Sequence, residues 1–255
     1  MFWRAMASLE QLAMESVRWA FAYSSWGPCR EDWLLAMRLV QPEEKERIGQ
    51  FVFARDAKAA MAGRLLMRKL IVEKLNIPWN VIVLERTSKG KPVLANDLRG
   101  IHSPFNFNIS HQGNFAVLAA EPNRQVGIDV MKTSLPGSGS IPDFFRIMKR
   151  QFTEEEWRAI TSMRNEWLQL EMFHRHWETR LDDCHHVAVA LGKPEGFKEQ
   201  HAEVPRKDVT QTAFTVLAFD DLVASAVPLT PEDPACWDNF CSRQDSPARQ
   251  SSNSR

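Results

Sequence analysis

The chain has 255 residues, enough for one large domain or two small ones with a real core. Hydrophobic residues make up 44% and charged residues 25%, and 32 Lys and Arg balance 32 Asp and Glu to zero net charge. That balance excludes a whole-molecule electrostatic binder of nucleic acid or membrane, so anion recognition has to come from a local patch.

In chain order, V-R-W-A-F-A-Y-S-S-W (17–26) alternates like a half-buried strand. Trp33 to Val40 reads as a short helix. Pro42 opens another, with Glu43 and Glu44 in its first turn, as the helix dipole favours. Residues 56–75 form the strongest helical pattern, with Asp56 as cap and Met61, Leu65, Leu66, Ile71 and Leu75 on its apolar face. A strand over 81–86 and the turn T-S-K-G-K-P follow. F-N-F-N-I-S (105–110), F-A-V-L-A-A and V-G-I-D-V then read as an antiparallel meander, with Ile128 on one face and Asp129 on the other. T-S-L-P-G-S-G-S (133–140) is a loop. Thr153 and Glu156 form a capping box that starts a helix running through Trp177. Strands over 186–191 and 213–219 and a short helix at D-D-L-V-A-S-A follow, and the last fifteen residues have a disordered composition.

No apolar run is long enough for a membrane span. The N-terminus, interrupted by Arg4 and Glu10, makes a poor signal peptide. Cys29, Cys184, Cys236 and Cys241 form no C-x-x-C pair, which fits reduced thiols in the cytosol.

Three segments carry chemistry. R-T-S-K-G-K-P places Arg86, Lys89 and Lys91 around Gly90 in a turn whose cations and exposed backbone N–H groups suit phosphate. N-I-S-H-Q-G ends a strand on His111, which can donate to phosphate or act as an acid or base. G-I-D-V holds Asp129, a strand carboxylate able to ligate Mg²⁺ alongside waters and substrate phosphates. Together they are the parts of Mg²⁺-assisted phosphoryl chemistry.

The same stretches, G-K-P-V-L, F-N-I-S-H and V-G-I-D in that order, resemble the Sfp-type 4′-phosphopantetheinyl transferases, closest to the animal subgroup that serves aminoadipate-semialdehyde dehydrogenase. The resemblance runs from about residue 15 to Trp177 and resumes from His185 to about residue 240. It implies transfer of the phosphopantetheine arm of coenzyme A to a serine of an acyl carrier protein domain, with 3′,5′-ADP leaving. The fold it implies is α+β, two similar halves with coenzyme A and Mg²⁺ between them. That places the halves at 15–103 and 104–228, the second internally shortened, with 229–255 a largely disordered tail. By motif, Arg47 and the turn Arg86, Thr87, Ser88, Lys89, Gly90, Lys91 bind coenzyme A, and Asn108, Ile109, Ser110 and His111 line the same site. Asp129 holds the metal, and Met131 stands where bacterial relatives have a middle acid. Implied partners are carrier domains of the fatty acid synthase and aminoadipate-semialdehyde dehydrogenase types, with no nucleic acid and no membrane. A cytosolic monomer serving lysine catabolism completes that picture.

One family motif is missing. W-x-x-K-E-S supplies a second metal-ligand Glu and a Lys facing coenzyme A, but after Trp177 the chain reads E-T-R-L-D, with Arg180 at the Lys position and Leu181 at the Glu position. Glu178 lies about 60° around a continued helix from Leu181, and Asp182 about 100°. Loss of base, ligand and helix together favours, as the competing function, a product of the lineage retaining coenzyme A or carrier binding without turnover. A third possibility, zinc held by Cys184, His185 and His186 with His174 and His176, suffers because adjacent strand residues cannot all face one ion.

Overall fold

The computed structural model describes residues 15–88, 90–96, 105–132, 141–149, 153–166, 168–169, 179–194 and 213–246. The first strand, β1 (Val17–Phe21), is followed by helices α1 (Arg30–Arg38), α2 (Pro42–Gly49) and α3 (Ala54–Leu75). A 3₁₀ turn at Trp79–Val81 leads into the ribbon β2 (Leu84–Arg86) and β3 (Pro92–Leu94). Three longer strands follow, β4 (Phe105–Gln112), β5 (Phe115–Pro122) and β6 (Arg124–Lys132). The remainder comprises α4 (Ile141–Met148), α5 (Glu154–Thr161), β7 (Thr179–Arg180), β8 (His185–Pro194), β9 (Thr215–Leu217), α6 (Phe219–Val223) and α7 (Ala235–Cys241). The α+β class stands.

β5 organises the molecule. It lies inside the sheet ordered β4-β5-β1-β9, antiparallel to β4 and β1. Ala116, Leu118 and Ala120 on one face join the core built by α3, with Met61, Leu65 and Leu66. Val117 and Ala119 on the other face pack with Val126, Ile128, Val130 and Val187 of a second sheet, ordered β6-β8-β7. A strand covered on both faces has no use for polar alternation, which is why F-A-V-L-A-A is continuously apolar.

Several expectations need correction. The expected boundary at 103/104 is crossed by the first sheet, in which β1 sits between β5 and β9. The meander holds only as the β4–β5 hairpin. Its third strand, β6, pairs with β8, because Val126, Ile128 and Val130 bury against the outer face of β5. The expected strand over 81–86 shortens to β2, because Trp79 is anchored by Nε1 donating to Leu39 O at 2.9 Å and holds 81 in a 3₁₀ turn. The helix opened by the Thr153–Glu156 capping box stops at Thr161. There Thr161 Oγ1 bonds back to Trp157 O at 2.9 Å, Ser162 Oγ bonds back to Ala159 O at 2.7 Å, and Asn165 Oδ1 caps Leu168 N at 2.9 Å. Short polar side chains that bond the local backbone compete with helix continuation. Residues 170–178, with Trp177 and Glu178, and the loop 133–140 lie outside the described residues. Among the described residues, the longest helices after β6 are α4 and α5, of eight residues each, against 22 for α3.

The C-terminal segment also departs from expectation. Residues 229–246 fold onto the first half instead of trailing as a tail. The Phe240 ring stacks on Trp33 at 3.9 Å between centroids, and Trp33 Nε1 donates to Cys236 O at 3.2 Å. Asp56 is not the cap of α3. The helix starts at Ala54, and its first free amides are met from this same segment, Ala54 N by Gln244 O at 2.9 Å and Arg55 N by Asp245 O at 3.0 Å.

Candidate active site: an arginine cluster, a clamped turn and one carboxylate

Glu44 in the first turn of α2 does more than oppose the helix dipole. It is 8% exposed, and its two oxygens take three guanidinium groups. Oε2 pairs with Arg64 Nε at 2.8 Å and Arg47 Nε at 3.2 Å, while Oε1 lies 3.3 Å from an Arg86 terminal nitrogen. The arginines come from α3, α2 and β2. Arg64 is buried and neutralises Glu44. Arg47 and Arg86 keep 39% and 35% of their side chains exposed, so they present guanidinium charge to solvent. Two uncompensated, weakly hydrated forks beside each other suit a phosphate group. The sequence singled out Arg47 and Arg86 as candidates but not the Glu44 and Arg64 that join them here. The i,i+3 spacing of Glu44 and Arg47 was the only available signal, and it is shared by many solvated helices.

β2 is fixed where Arg86 can reach this carboxylate. Gln41 Oε1 accepts from Leu84 N at 2.7 Å and Gln41 Nε2 donates to Leu84 O at 3.2 Å, pairing as a neighbouring strand would. Arg68, fully buried, donates to Gln41 Oε1 at 3.0 Å and Trp79 O at 2.9 Å. Burial pushes its pKa down to about 10 against the pull of Glu44, so it stays charged at neutral pH.

The turn after β2 corrects the expectation of an amide cradle. Thr87 N donates to Lys91 O at 2.9 Å, Gly90 N to Thr87 O at 2.8 Å and Lys91 N to Thr87 Oγ1 at 3.1 Å. These amides close the turn and do not face a ligand. Gly90 has φ +79°, which demands glycine. Arg86, Thr87, Ser88 and Lys91 are exposed, and Lys89 lies outside the described residues. What this turn can offer an anion is therefore its side-chain cations, not its amides.

His111 sits near the end of β4, at the foot of a turn held from three sides. Tyr23 Oη donates to Gly113 O at 2.9 Å, and Arg55 donates to the same carbonyl and to Asn114 Oδ1. Buried His185 Nε2 accepts from Asn114 N at 3.1 Å, which places the His185 proton on Nδ1, facing Asp182 Oδ1 at 2.8 Å. Gly113 adopts φ +63°, and a Cβ there would lie 2.3 Å from His185 Nε2. The His111 ring keeps an exposed edge, yet neighbouring atoms strip enough water from it to lower its pKa below the usual imidazole value. Asp56 opposes that shift and Arg47 adds to it. That mutual influence brings His111 and Arg47 into one electrostatic field. Ile109 points the same way, with Cδ1 3.3 Å from a Cβ built on Gly63 of α3, whereas the Asn108 side chain caps its neighbour's amide, Ile109 N to Oδ1, at 2.8 Å.

Strand alternation sends Ser110 to the opposite side, where Ser110 Oγ donates to Asp129 Oδ1 at 2.6 Å. Val130 N donates to the same oxygen at 2.9 Å. Asp129 is exposed, and both bonds fall on Oδ1, so Oδ2 faces outward as one ligand for a hard cation. Mg²⁺ is commonly held by one or two carboxylates, with phosphates and waters completing an octahedron, and Asp129 fits that role. Among the described residues no three His, Cys, Asp or Glu side chains gather as a metal group.

Glu178 and Asp182 are the nearest acids on either side of Leu181, where the second metal-ligand Glu is missing. Asp182 is committed: its Oδ1 accepts from Cys184 N at 2.7 Å and faces His185. Burial works to raise its pKa, but these bonds outweigh it and hold the carboxyl below its usual range. His185 stands opposite Lys132 on β6, three positions, or about 10 Å, along the strand from Asp129. Asp182 is thus a structural partner of His185, and Glu178 lies outside the described residues. Arg180 bonds Asp183 Oδ1 at 2.5 Å and Asp182 O at 3.1 Å, folding onto its own turn. The described part of this turn does not gather zinc ligands: Cys184 is exposed and His185 is buried with both nitrogens engaged, while His174 and His176 lie outside the described residues.

A family model described as 4′-phosphopantetheinyl transferase, N-terminal, matches residues 24–123. The L-aminoadipate-semialdehyde dehydrogenase-phosphopantetheinyl transferase of Homo sapiens is 51% identical to the chain over 299 residues, covering 95% of this chain and 96% of that protein. Its namesake from Xenopus laevis is 47% identical, covering 96% and 98%. A phosphopantetheinyl transferase of Thraustochytrium sp. is 35% identical, covering 68% and 60%. The 299-residue human match is longer than the 255 residues of the chain, so the human protein has residues that face gaps here.

Proposed function

The chain belongs to the 4′-phosphopantetheinyl transferase family, and from that premise we propose that it binds coenzyme A through Arg47, Arg86, Lys91 and His111 and transfers its phosphopantetheine arm to a serine of a carrier domain. The observation that carries this reading is the Glu44 cluster, which draws two solvent-facing guanidiniums from separate segments to one carboxylate, with the Arg47 charge felt at His111. In the reaction the serine oxygen forms a bond to phosphorus and the phosphoanhydride P–O bond breaks. The electron pair leaves on 3′,5′-ADP, and the serine proton passes to a base.

The residues of the chain divide that work. Arg47 and Arg86 orient the pyrophosphate and neutralise charge that builds on the leaving group. His111, neutral in the free protein, donates a proton toward a phosphate oxygen. Asp129, its carboxylate fixed by Ser110, would hold Mg²⁺, which would supply charge neutralisation on the transferring phosphate. The acceptors are carrier domains of the fatty acid synthase and aminoadipate-semialdehyde dehydrogenase types, the latter supported by the names of the animal relatives. Among the described residues no helix is long and apolar enough to cross a membrane.

A second reading, coenzyme A binding without turnover, draws on a different observation. Among the described residues no three metal-ligating side chains gather around Asp129 or elsewhere, and the human relative carries residues that this chain lacks. On this reading a gap after Trp177, at the place of the missing W-x-x-K-E-S, would account for both. Transfer of a fluorescent phosphopantetheine from labelled coenzyme A to an apo carrier domain separates the two. Label transfer that requires Mg²⁺ and disappears in Asp129→Ala supports the enzyme. Absence of transfer by stoichiometric, folded chain rules out turnover.

A further inference from the structure

We infer that Arg243, with the backbone of Gln244 and Asp245, is a positioning strap for the coenzyme A phosphate site. The inference rests on the reading of that site given above and adds the part of the chain that holds it in place. Three consecutive residues stitch the junction between α2 and α3. The two terminal nitrogens of Arg243 donate to Ile48 O at 3.2 Å and Gly49 O at 2.7 Å, the free carbonyls at the end of α2. Gln244 O and Asp245 O accept from Ala54 N and Arg55 N, the free amides at the start of α3. The Asp245 carboxylate lies 3.7 Å from Lys58 Nζ, one turn further along α3.

On its other side the same junction carries the site. Arg47 is in the last turn of α2, one residue before Ile48, and its guanidinium lies over the Phe51 ring at 5.2 Å. Arg55 clamps the carbonyl of Gly113 and so the turn that bears His111, while Asp56 adds its charge to the surroundings of His111. A helix end with unmet carbonyls and a helix start with unmet amides would otherwise fray within a turn, carrying Arg47 and Arg55 with them. Arg243 is itself braced, with Nε 3.0 Å from Asn239 Oδ1 on α7, and α7 is seated by the stacking of Phe240 on Trp33. The link from α7 to the phosphate site is thus a continuous chain of packed and hydrogen-bonded groups, with Arg243 as the span that can be cut by one substitution.

The test is calorimetric titration of coenzyme A into the full chain, its Arg243→Ala and Arg243→Lys variants, and Arg47→Ala as a direct-contact control. The His111 ring resonances are read for each at fixed pH. Arg243→Ala is expected to weaken coenzyme A about tenfold, with circular dichroism unchanged, and to move the His111 resonances. Lysine, which can still reach one carbonyl, restores part of both and keeps the test open if alanine unfolds the chain. Affinity within twofold of the parent and unmoved His111 resonances in Arg243→Ala would overturn the strap. Should the parent chain itself not bind coenzyme A, the phosphate-site reading fails first, and the resonances alone then decide: moved and rescued by lysine, the strap stands; unmoved, it falls.

Discussion

At the scale of single residues, the chemistry depends on one buried carboxylate more than on any exposed cation. Removing Glu44 leaves Arg64, 5% exposed, without its counter-charge. Uncompensated buried charges cost about 3–5 kcal/mol. Glu44→Ala should therefore lower the urea midpoint by the equivalent of about 3 kcal/mol, whereas Arg86→Ala, at an exposed position, should change stability little while weakening coenzyme A. His111 gives a pH signature of definite sign. Burial lowers its pKa in the free protein, so the folded chain binds fewer protons than the unfolded chain as pH falls toward and below the ordinary value of about 6.5. The neutral ring thus costs nothing above that value, and the cost appears as pH falls through it. A phosphate beside the ring raises its pKa again. Coenzyme A binding should then take up a fraction of a proton and strengthen from pH 8 to pH 6. Calorimetry in buffers of different ionisation enthalpy measures the uptake, and His111→Gln should abolish it.

At the scale of elements, local rules account for much of what was legible. Pro42 opened α2, the Thr153–Glu156 box opened α5, and the alternation of β4 placed Phe105, Phe107 and Ile109 against the core. The misses have a common physical cause: hydrogen-bond partners that no sequence pattern reveals overrode the expected role. Asp56 looked like a cap because nothing nearby revealed that Gln244 and Asp245 already meet the amides of α3. The 86–91 turn looked like an amide cradle because sequence shows a glycine but not the Thr87 bonds that close it. Strand geometry already told against His185, His186 and Cys184 as joint zinc ligands, but the partners of His185, Asn114 and Asp182, are visible only in the fold. The β4–β5 turn offers a direct check. Gly113→Ala forces a Cβ into the His185 ring at a left-handed backbone position, and His185→Ala empties the buried clamp. Each should cost about 2–4 kcal/mol of stability in thermal or urea unfolding.

At the scale of the whole molecule, the two sides of the site are unequal. The proposed phosphate-binding side, formed by α2, α3, β2 and β4, is built into the larger core and strapped by residues 229–246 from the far end of the chain. The metal side rests on the smaller sheet β6-β8-β7 and on Asp129. Folding energy and phosphate recognition therefore sit together, and recognition should survive changes that abolish transfer. Asp129→Asn should leave coenzyme A affinity in the absence of Mg²⁺ within a fewfold of the parent and remove the gain that Mg²⁺ brings. The most direct measurement is calorimetric titration of coenzyme A into the parent chain, Arg47→Ala and Arg86→Ala, all confirmed folded. Charged hydrogen bonds contribute about 1.5–3 kcal/mol each, so the parent should bind saturably and each variant should lose about tenfold to a hundredfold. A parent that shows no saturable binding, or variants that bind as the parent does, would contradict a coenzyme A site gathered on Glu44.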